Sequence, residues 1–225
     1  MSGLFITFEG GDGVGKSTQV AKLVELLENS GHTVVTTREP GATDLGVESR
    51  NIVLLHRGDI APRAEALLYA ADRAHHIATF VRPALERGEV VIQDRYFDSS
   101  VAYQGAGRVL DGAEIKDISL WATESLIPDV TILLDLDPAA ARVRLDAEAK
   151  EFDRLENEKQ DFHARVRDGF LALAAAEPKR WLVLNAADDR DVIASAIAAR
   201  SAGVSLPCAS IAWHTTVLRS ASSRR

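Results

Sequence analysis

Cysteine and long apolar runs are what this chain has least of. Cys208 is the only cysteine among 225 residues, so the sequence excludes an intrachain disulfide and a cysteine-ligated metal site. No uninterrupted apolar stretch is long enough to cross a membrane, and the chain enters a strand-like run almost at once, without a signal-peptide pattern. We therefore expect a cytoplasmic protein with no membrane partner.

An excess of positive charge is also missing. The chain has 26 Lys and Arg against 33 Asp and Glu, giving a formal net charge of −7. This balance gives no electrostatic basis for non-specific binding to nucleic acid or to an anionic membrane surface, so we expect no nucleic-acid partner. Arginines can still cluster locally, which leaves an anionic small-molecule substrate open.

Neither disorder nor a central linker is indicated. Apolar residues make up 46% of the chain, an ordinary fraction for a globular protein, and no Pro/Gly/Ser-rich stretch divides its middle. We expect one domain over residues 1–200. Residues 201–225 contain several serines, Gly203 and Pro207 and end in two arginines, which predicts a poorly ordered extension.

The clearest positive signal is a glycine-rich loop, Gly10-x4-Gly15-Lys16-Ser17, between the apolar run 4–8 and a helical pattern that ends near Ser30. Glycines let backbone N–H groups approach phosphate oxygens, and the helix N-terminus adds further donors. Lys16 would reach the β- and γ-phosphates, and the Ser17 hydroxyl would ligate Mg²⁺. The predicted ATP-binding residues are Gly10, Gly11, Asp12, Gly13, Val14, Gly15, Lys16, Ser17 and Thr18. This loop alone is compatible with a hydrolase, a switch, a motor or a kinase.

Strand and helix patterns alternate along the rest of the chain. Strands are predicted at 4–8, 33–37, 90–94, 130–134 and 181–184, and further helices near 45–55, 61–87, 112–125, 138–149, 158–177 and 189–200. This order predicts an α/β fold of three layers, with a five-stranded parallel sheet flanked by helices.

Two further motifs follow predicted strands. One is Thr37-Arg38-Glu39-Pro40-Gly41, which places an arginine at the carboxyl edge of the sheet, where ligands bind in such folds. A Pro-Gly turn with a surface arginine is an equally good interpretation of this pentapeptide. Asp94-Arg95-Tyr96 places a carboxylate that can hold Mg²⁺ through water and an arginine at the same edge; the alternative is a charge pair ending a strand.

Combined, these motifs resemble the thymidylate kinase family. The resemblance extends over residues 3–200, through Phe8–Gln19, Thr37–Gly41, Leu67-Leu68-Tyr69-Ala70-Ala71-Asp72-Arg73, Asp94-Arg95-Tyr96, Ala102-Tyr103-Gln104-Gly105 and Asp153-Arg154-Leu155-Glu156. It implies a P-loop nucleoside monophosphate kinase fold. It also implies transfer of the γ-phosphate of ATP to dTMP, giving dTDP for dTTP synthesis, with Mg²⁺, in a homodimer.

The resemblance also implies a role for each substrate-binding residue. Asp12 would accept a hydrogen bond from the sugar 3′-hydroxyl, Arg38 and Arg95 would hold the dTMP phosphate, and Arg50 would be a further phosphate-binding arginine. At the base, Tyr69 replaces the family's usual phenylalanine as the stacking ring, and Arg73 would bind the base edge. Base and sugar contacts are completed by Ser100, Gln104 and, close under the sugar, Tyr103.

The family uses a cation from either the glycine loop or a mobile lid to assist transfer. Gly13 stands where the eukaryotic loop has arginine, so the resemblance implies a lid-supplied cation from residues 144–157. The candidates are Arg142, Arg144, Lys150 and Arg154, of which Arg154 is preferred, so that the predicted catalytic residues are Lys16, Asp12, Arg95 and Arg154. Acidic residues at 146, 148 and 151 make this lid less basic than is usual.

Three other functions stay open from the sequence: a different nucleoside monophosphate kinase, a GTP-binding switch and a non-catalytic nucleotide-binding module. A switch needs a guanine-reading Asn-Lys-x-Asp tetrapeptide, and none occurs. His75-His76 lacks the spacing of a metal site and is interpreted as helix surface or interface.

Overall fold

The computed structural model describes residues 3–56, 58–147 and 152–204. Its five strands are β1 (Leu4–Glu9), β2 (Val34–Arg38), β3 (Val90–Asp94), β4 (Val130–Asp135) and β5 (Trp181–Asn185). They form one parallel sheet in the order β2-β3-β1-β4-β5. The predicted fold class is therefore confirmed, and each predicted strand lies within one residue of its observed bounds.

Helices cover the sheet and connect its strands. They are α1 (Lys16–Asn29), α2 (Asp44–Leu55), α3 (Pro62–His76), α4 (Arg82–Glu86), α5 (Phe97–Ser100), α6 (Gly112–Ala122), α7 (Pro138–Ala147), α8 (Gln160–Ala176) and α9 (Arg190–Ala202). Two π-helical segments, Ile77–Val81 and Val101–Gly107, continue α3 into α4 and extend α5. The single helix predicted at 61–87 thus contains a π-helical segment, which is common at functional sites.

The helical stretch from Phe97 to Gly107 was missed by the sequence patterns. Two of its glycines are selected by close packing, and glycine weakens a helix signal. A Cβ on Gly105 would lie 3.2 Å from the Gly112 Cα atom, and one on Gly107 would lie 2.7 Å from the Phe162 ring. Tertiary contacts with α6 and α8 therefore hold a helix that local propensity does not predict.

One interpretation needs correction. His76 is fully buried, with Nδ1 3.0 Å from Glu39 Oε1 and Nε2 2.7 Å from Thr37 Oγ1, so it is neither surface nor interface; its neighbour His75 is half-buried. Helix α9 continues past residue 200, the end of the predicted domain, to Ala202. Ser201 is buried in α9, and Val204 packs on the apolar core. Residues 205–225, and residues 148–151 of the predicted lid, lie outside the described residues.

Glu9, the last residue of β1, carries a buried carboxylate directly before the glycine loop. Glu9 Oε1 accepts a hydrogen bond from the Tyr96 backbone N–H at 2.8 Å, and Ser99 Oγ lies 2.5 Å from Oε2. Burial, together with the nearby Asp98 carboxylate, raises the pKa of Glu9 to about 8. Glu9 thus ties β1 to the backbone that follows β3, at the base of the site described below.

The raised pKa of Glu9 predicts a loss of stability with increasing pH. The folded protein retains this proton up to about pH 8, whereas the unfolded chain releases it near pH 4.5, so the stabilisation present at low pH is lost between these values. Glu9→Gln mimics the protonated form. In urea titrations we expect the difference in free energy of unfolding, Glu9→Gln minus parent chain, to increase by roughly 3 kcal/mol from pH 5 to pH 8. Parallel pH profiles for the two proteins would contradict this.

Candidate active site

The glycine-rich loop lies between β1 and α1. Gly10 has φ +127°, and a Cβ there would lie 2.5 Å from the Leu134 carbonyl oxygen, so both conformation and space require glycine. Gly15, which caps α1, has φ +95° and no neighbour near its missing Cβ, so its requirement is conformational alone. These constraints leave the α1 N-terminus open to a phosphate.

Lys16 begins α1 and folds back over this loop. Its Nζ donates to the carbonyl oxygens of Gly11 at 2.8 Å and Gly10 at 3.2 Å, and it lies 3.9 Å from Asp94 Oδ1. Burial, and secondarily the Arg95 guanidinium, lower the pKa of Lys16. A buried ammonium group at a phosphate-binding loop has an electrostatic reason to pair with a nucleotide's phosphates.

Oxygen ligands suitable for Mg²⁺ lie beside Lys16. Ser17 is exposed on the first turn of α1, and Asp94 ends β3; both line the open cavity beside the loop. Asp94 Oδ1 is buried and without a hydrogen-bond partner. Mg²⁺ is typically held by one or two such oxygens together with substrate phosphates and water, so these residues fit that ion. The described residues contain no cluster of three or more His, Cys, Asp or Glu side chains suited to a metal.

A second cavity, of about 180 Å³, opens on the other side of the loop. Its wall contains every residue predicted to bind the second substrate: Asp12, Arg38, Arg50, Tyr69, Arg73, Arg95, Ser100, Tyr103 and Gln104. Lys16 and Asp94 line it as well, so the two cavities meet at the loop. Residues from β2, α2, α3, β3 and the π-helical segment 101–107 are brought together here.

Arg95 joins the loop to the second cavity. It has φ +65°, an unusual conformation for a long side chain, and its backbone N–H donates to Phe8 O at 2.9 Å. Its Nη1 donates to Gly10 O at 3.0 Å and its Nη2 to Asp12 Oδ1 at 2.7 Å. The guanidinium lies 5.1 Å from the centre of the Tyr103 ring. A positive group is thereby fixed between the phosphate loop and the cavity.

The other two predicted phosphate-binding arginines lie at the rim. Arg38 is exposed at the carboxyl end of β2, and Arg50, on α2, donates to Pro40 O at 3.0 Å. Together with Arg95, they give the cavity wall three arginines, a set that suits a phosphate dianion.

Helix α3 contributes two further residues, Tyr69 and Arg73, to the cavity wall. Arg73 is almost fully buried; its Nε donates to Glu39 Oε2 at 2.7 Å and its Nη2 to Ser100 Oγ at 3.0 Å. Tyr69, one helical turn before Arg73, is buried and presents a ring to the cavity wall. An aromatic face with adjacent donors suits a flat heterocycle.

Two of the predicted lid cations within the described ranges line cavities beside the loop, Arg144 together with Gly13 and Arg142 together with Gly10. Arg144 donates to Ala186 O at 3.0 Å. Arg142 lies 4.0 Å from the centre of the Phe152 ring and donates to Glu156 O, whereas Arg154 pairs with Glu65 and donates to Val53 O at 2.9 Å. The described conformation therefore does not bring Arg154 to the loop. Lys150 lies outside the described residues.

The packing around Gly13 accounts for the small residue in the loop. A Cβ at this position would lie 2.9 Å from both the Ala141 carbonyl oxygen and Leu145 Cγ, which belong to α7. An arginine in this place would therefore displace α7.

Sequence reasoning missed two carboxylates that support the cavity. Glu39 contacts both Arg73 and His76, and Glu65 contacts Gln104. Glu65 lies four residues before Tyr69, on the same face of α3, so this spacing was the available signal. Glu39 is itself part of the wall of the second cavity, whereas Glu65 lies behind it.

No helix in the described ranges has the length and apolarity that crossing a membrane requires.

Comparison with known proteins gives a consistent result. The thymidylate kinase family model matches residues 8–197. The chain is 71% identical over 201 residues to a thymidylate kinase of Clavibacter sepedonicus, a match covering 89% of this chain and 95% of the relative. It is 67% identical to that of Leifsonia xyli subsp. xyli, with the same two coverages, and 56% identical to that of Bifidobacterium longum strain DJO10A, covering 88% and 96%. The chain belongs to the thymidylate kinase family.

Proposed function

We propose that the chain transfers the γ-phosphate of ATP to dTMP, giving dTDP. The observation that supports this reaction best is the meeting of two cavities at one glycine-rich loop, one open to the α1 N-terminus and the other lined by three arginines and an aromatic pocket. Two nucleotides bound on opposite sides of that loop would direct their phosphates toward each other.

On the ATP side, the loop from Gly10 to Thr18 would bind the phosphates through backbone N–H groups, and Lys16 would exchange its carbonyl contacts for the β- and γ-phosphates. Ser17 would ligate Mg²⁺, and Asp94 would hold it through water; its buried Oδ1 has no hydrogen-bond partner and lies 3.9 Å from Lys16 Nζ. When bound, the ion neutralises charge on the phosphates.

On the dTMP side, Arg38, Arg50 and Arg95 would hold the acceptor phosphate. Asp12 would accept from the 3′-hydroxyl, and Tyr103 would lie against the sugar, since its hydroxyl is 3.5 Å from Asp12 Oδ2. Tyr69 would stack on the base, while Arg73, Ser100 and Gln104 would bind its edge.

Chemistry at this site needs no protein nucleophile, because an oxygen of the acceptor phosphate attacks the γ-phosphorus in line. The protein's contribution is position and charge. Lys16 and Arg95 would fix the two phosphates, Asp12 would hold the acceptor's sugar, and a lid cation would add positive charge. Arg154 would have to leave Glu65 to supply it, whereas Arg144 already faces the loop cavity.

Family membership also suggests how the chain is organised. We propose a single kinase domain over residues 1–200 with a lid near 144–157, a cytoplasmic location where both nucleotides are available, and a homodimer. Exposed Ile52 on α2 and Leu67 on α3, each about half accessible, support an apolar contact between copies. Sedimentation showing only monomer at micromolar concentration would exclude the dimer.

A coupled ADP-release assay with a panel of nucleoside monophosphates tests the reaction. We expect release that depends strongly on dTMP and on Mg²⁺, is much slower with CMP or GMP, and falls at least about 100-fold in Lys16→Ala because a phosphate-binding charge is lost.

Preference for a different acceptor would contradict the assigned substrate. Release that persists in EDTA would contradict the role of Mg²⁺, and full activity of folded Lys16→Ala would contradict the role of the loop.

A further inference from the structure

The amide of Gln104 is held by a buried carboxylate behind the cavity wall. Its Nε2 donates to Glu65 Oε1 at 2.9 Å. Both side chains are almost fully buried, Glu65 at 0% and Gln104 at 1% exposure, yet Gln104 lines the second cavity. The contact therefore links a cavity-lining group to a residue that does not line the cavity.

Glu65 is also paired with two guanidinium groups. Arg154 forms an ion pair with Oε2, and Arg108 lies 3.4 Å from Oε1 through Nε. An ion-paired carboxylate has only acceptors, so it can hold only the NH₂ end of the Gln104 amide. This chemistry fixes the orientation of the Gln104 amide, because an amide oxygen that faced the Glu65 carboxylate would be repelled.

With its nitrogen held by Glu65, Gln104 offers its carbonyl oxygen Oε1 to the cavity. The neighbouring groups on the same wall carry donors: Arg73, which donates to Glu39, Ser119 and Ser100, has no acceptor, and the Ser100 hydroxyl carries a proton of its own. The wall therefore presents donors beside one fixed acceptor.

We propose that Glu65 is a positioning residue that sets the choice of base by fixing the Gln104 amide. Thymine and uracil have an acceptor, O4, next to a donor, the N3–H group, which matches donors beside an acceptor. Cytosine has the opposite order, an amino group next to an unprotonated N3. This inference rests on the proposed binding of dTMP in the second cavity.

Glu65→Gln tests this directly. A neutral amide at position 65 can accept as well as donate, so the Gln104 amide is free to turn and present its NH₂ group. We expect KM for dTMP to rise about tenfold, and the ratio of kcat/KM for dTMP over dCMP to fall about tenfold, the size of effect typical of one hydrogen bond to a charged group.

dUMP is the internal control, because it has the same O4 and N3–H groups as dTMP and lacks only the methyl group. The dTMP over dUMP ratio should stay within about twofold of the parent value in Glu65→Gln. A variant that lowers kcat/KM for dTMP and dCMP equally would show a merely structural role and overturn the proposal.

Gln104→Leu completes a double-mutant cycle. It should reduce the dTMP over dCMP ratio, and adding Glu65→Gln in that background should change the ratio no further. If Gln104→Leu leaves the ratio unchanged, the assigned base contact in the proposed function is wrong. If Gln104→Leu lowers it but folded Glu65→Gln does not, the positioning role alone is overturned.

Circular dichroism checks that Glu65→Gln is folded. Should it unfold, Glu65→Asp keeps the charge for Arg108 and Arg154 while withdrawing the carboxylate from Gln104. It should lower the same ratio in the same direction by a smaller factor, and an unchanged ratio would overturn the proposal.

Discussion

The hydrogen bonds of Arg95 to Gly10 and Asp12 are the contacts on which the rest of the site depends. They connect the end of β3 to the loop that follows β1, and these strands are neighbours in the sheet. A rigid guanidinium fork therefore stands where the two nucleotide cavities meet. The strained backbone of Arg95, with φ +65°, persists because Phe8 and Gln93 hold its backbone N–H and carbonyl groups. The fold's contribution to the reaction is therefore the fixed position of charged groups rather than a reactive side chain.

Buried carboxylates in or behind the cavity wall orient the groups that face the cavity. Glu9 ties β1 to Tyr96 and Ser99, Glu39 holds Arg73, and Glu65 holds Gln104. Buried charges are costly unless paired, and Glu39 and Glu65 are paired with arginines. Fixing side chains in advance lowers the entropy lost when a substrate binds. Buried carboxylates thus position the polar groups that face the cavity.

The sequence predicted the sheet and the cavity walls well because both depend on local signals. Apolar runs mark the strands, and Arg38 and Arg95 follow strand ends, which parallel strands bring to one edge. The helical stretch 97–107 was missed because its glycines are set by contacts with α6 and α8. The partners of His76 and Arg154 could not be predicted either. Glu39 is 37 residues from His76 in the chain, and Glu65 is 89 residues from Arg154. Ion pairs between residues that are far apart in the chain leave no periodic pattern in the sequence.

The rate of the chemical step in Arg95→Lys tests the central claim most directly. Lysine keeps the charge but loses the fork that contacts Gly10 and Asp12 together. In single-turnover experiments saturated with ATP and dTMP, the account predicts that phosphoryl transfer slows by about 100-fold or more while the Kd for ATP stays within about twofold. A transfer rate within about threefold of the parent enzyme would contradict it, because charge alone would then suffice and the geometry of Arg95 would not matter.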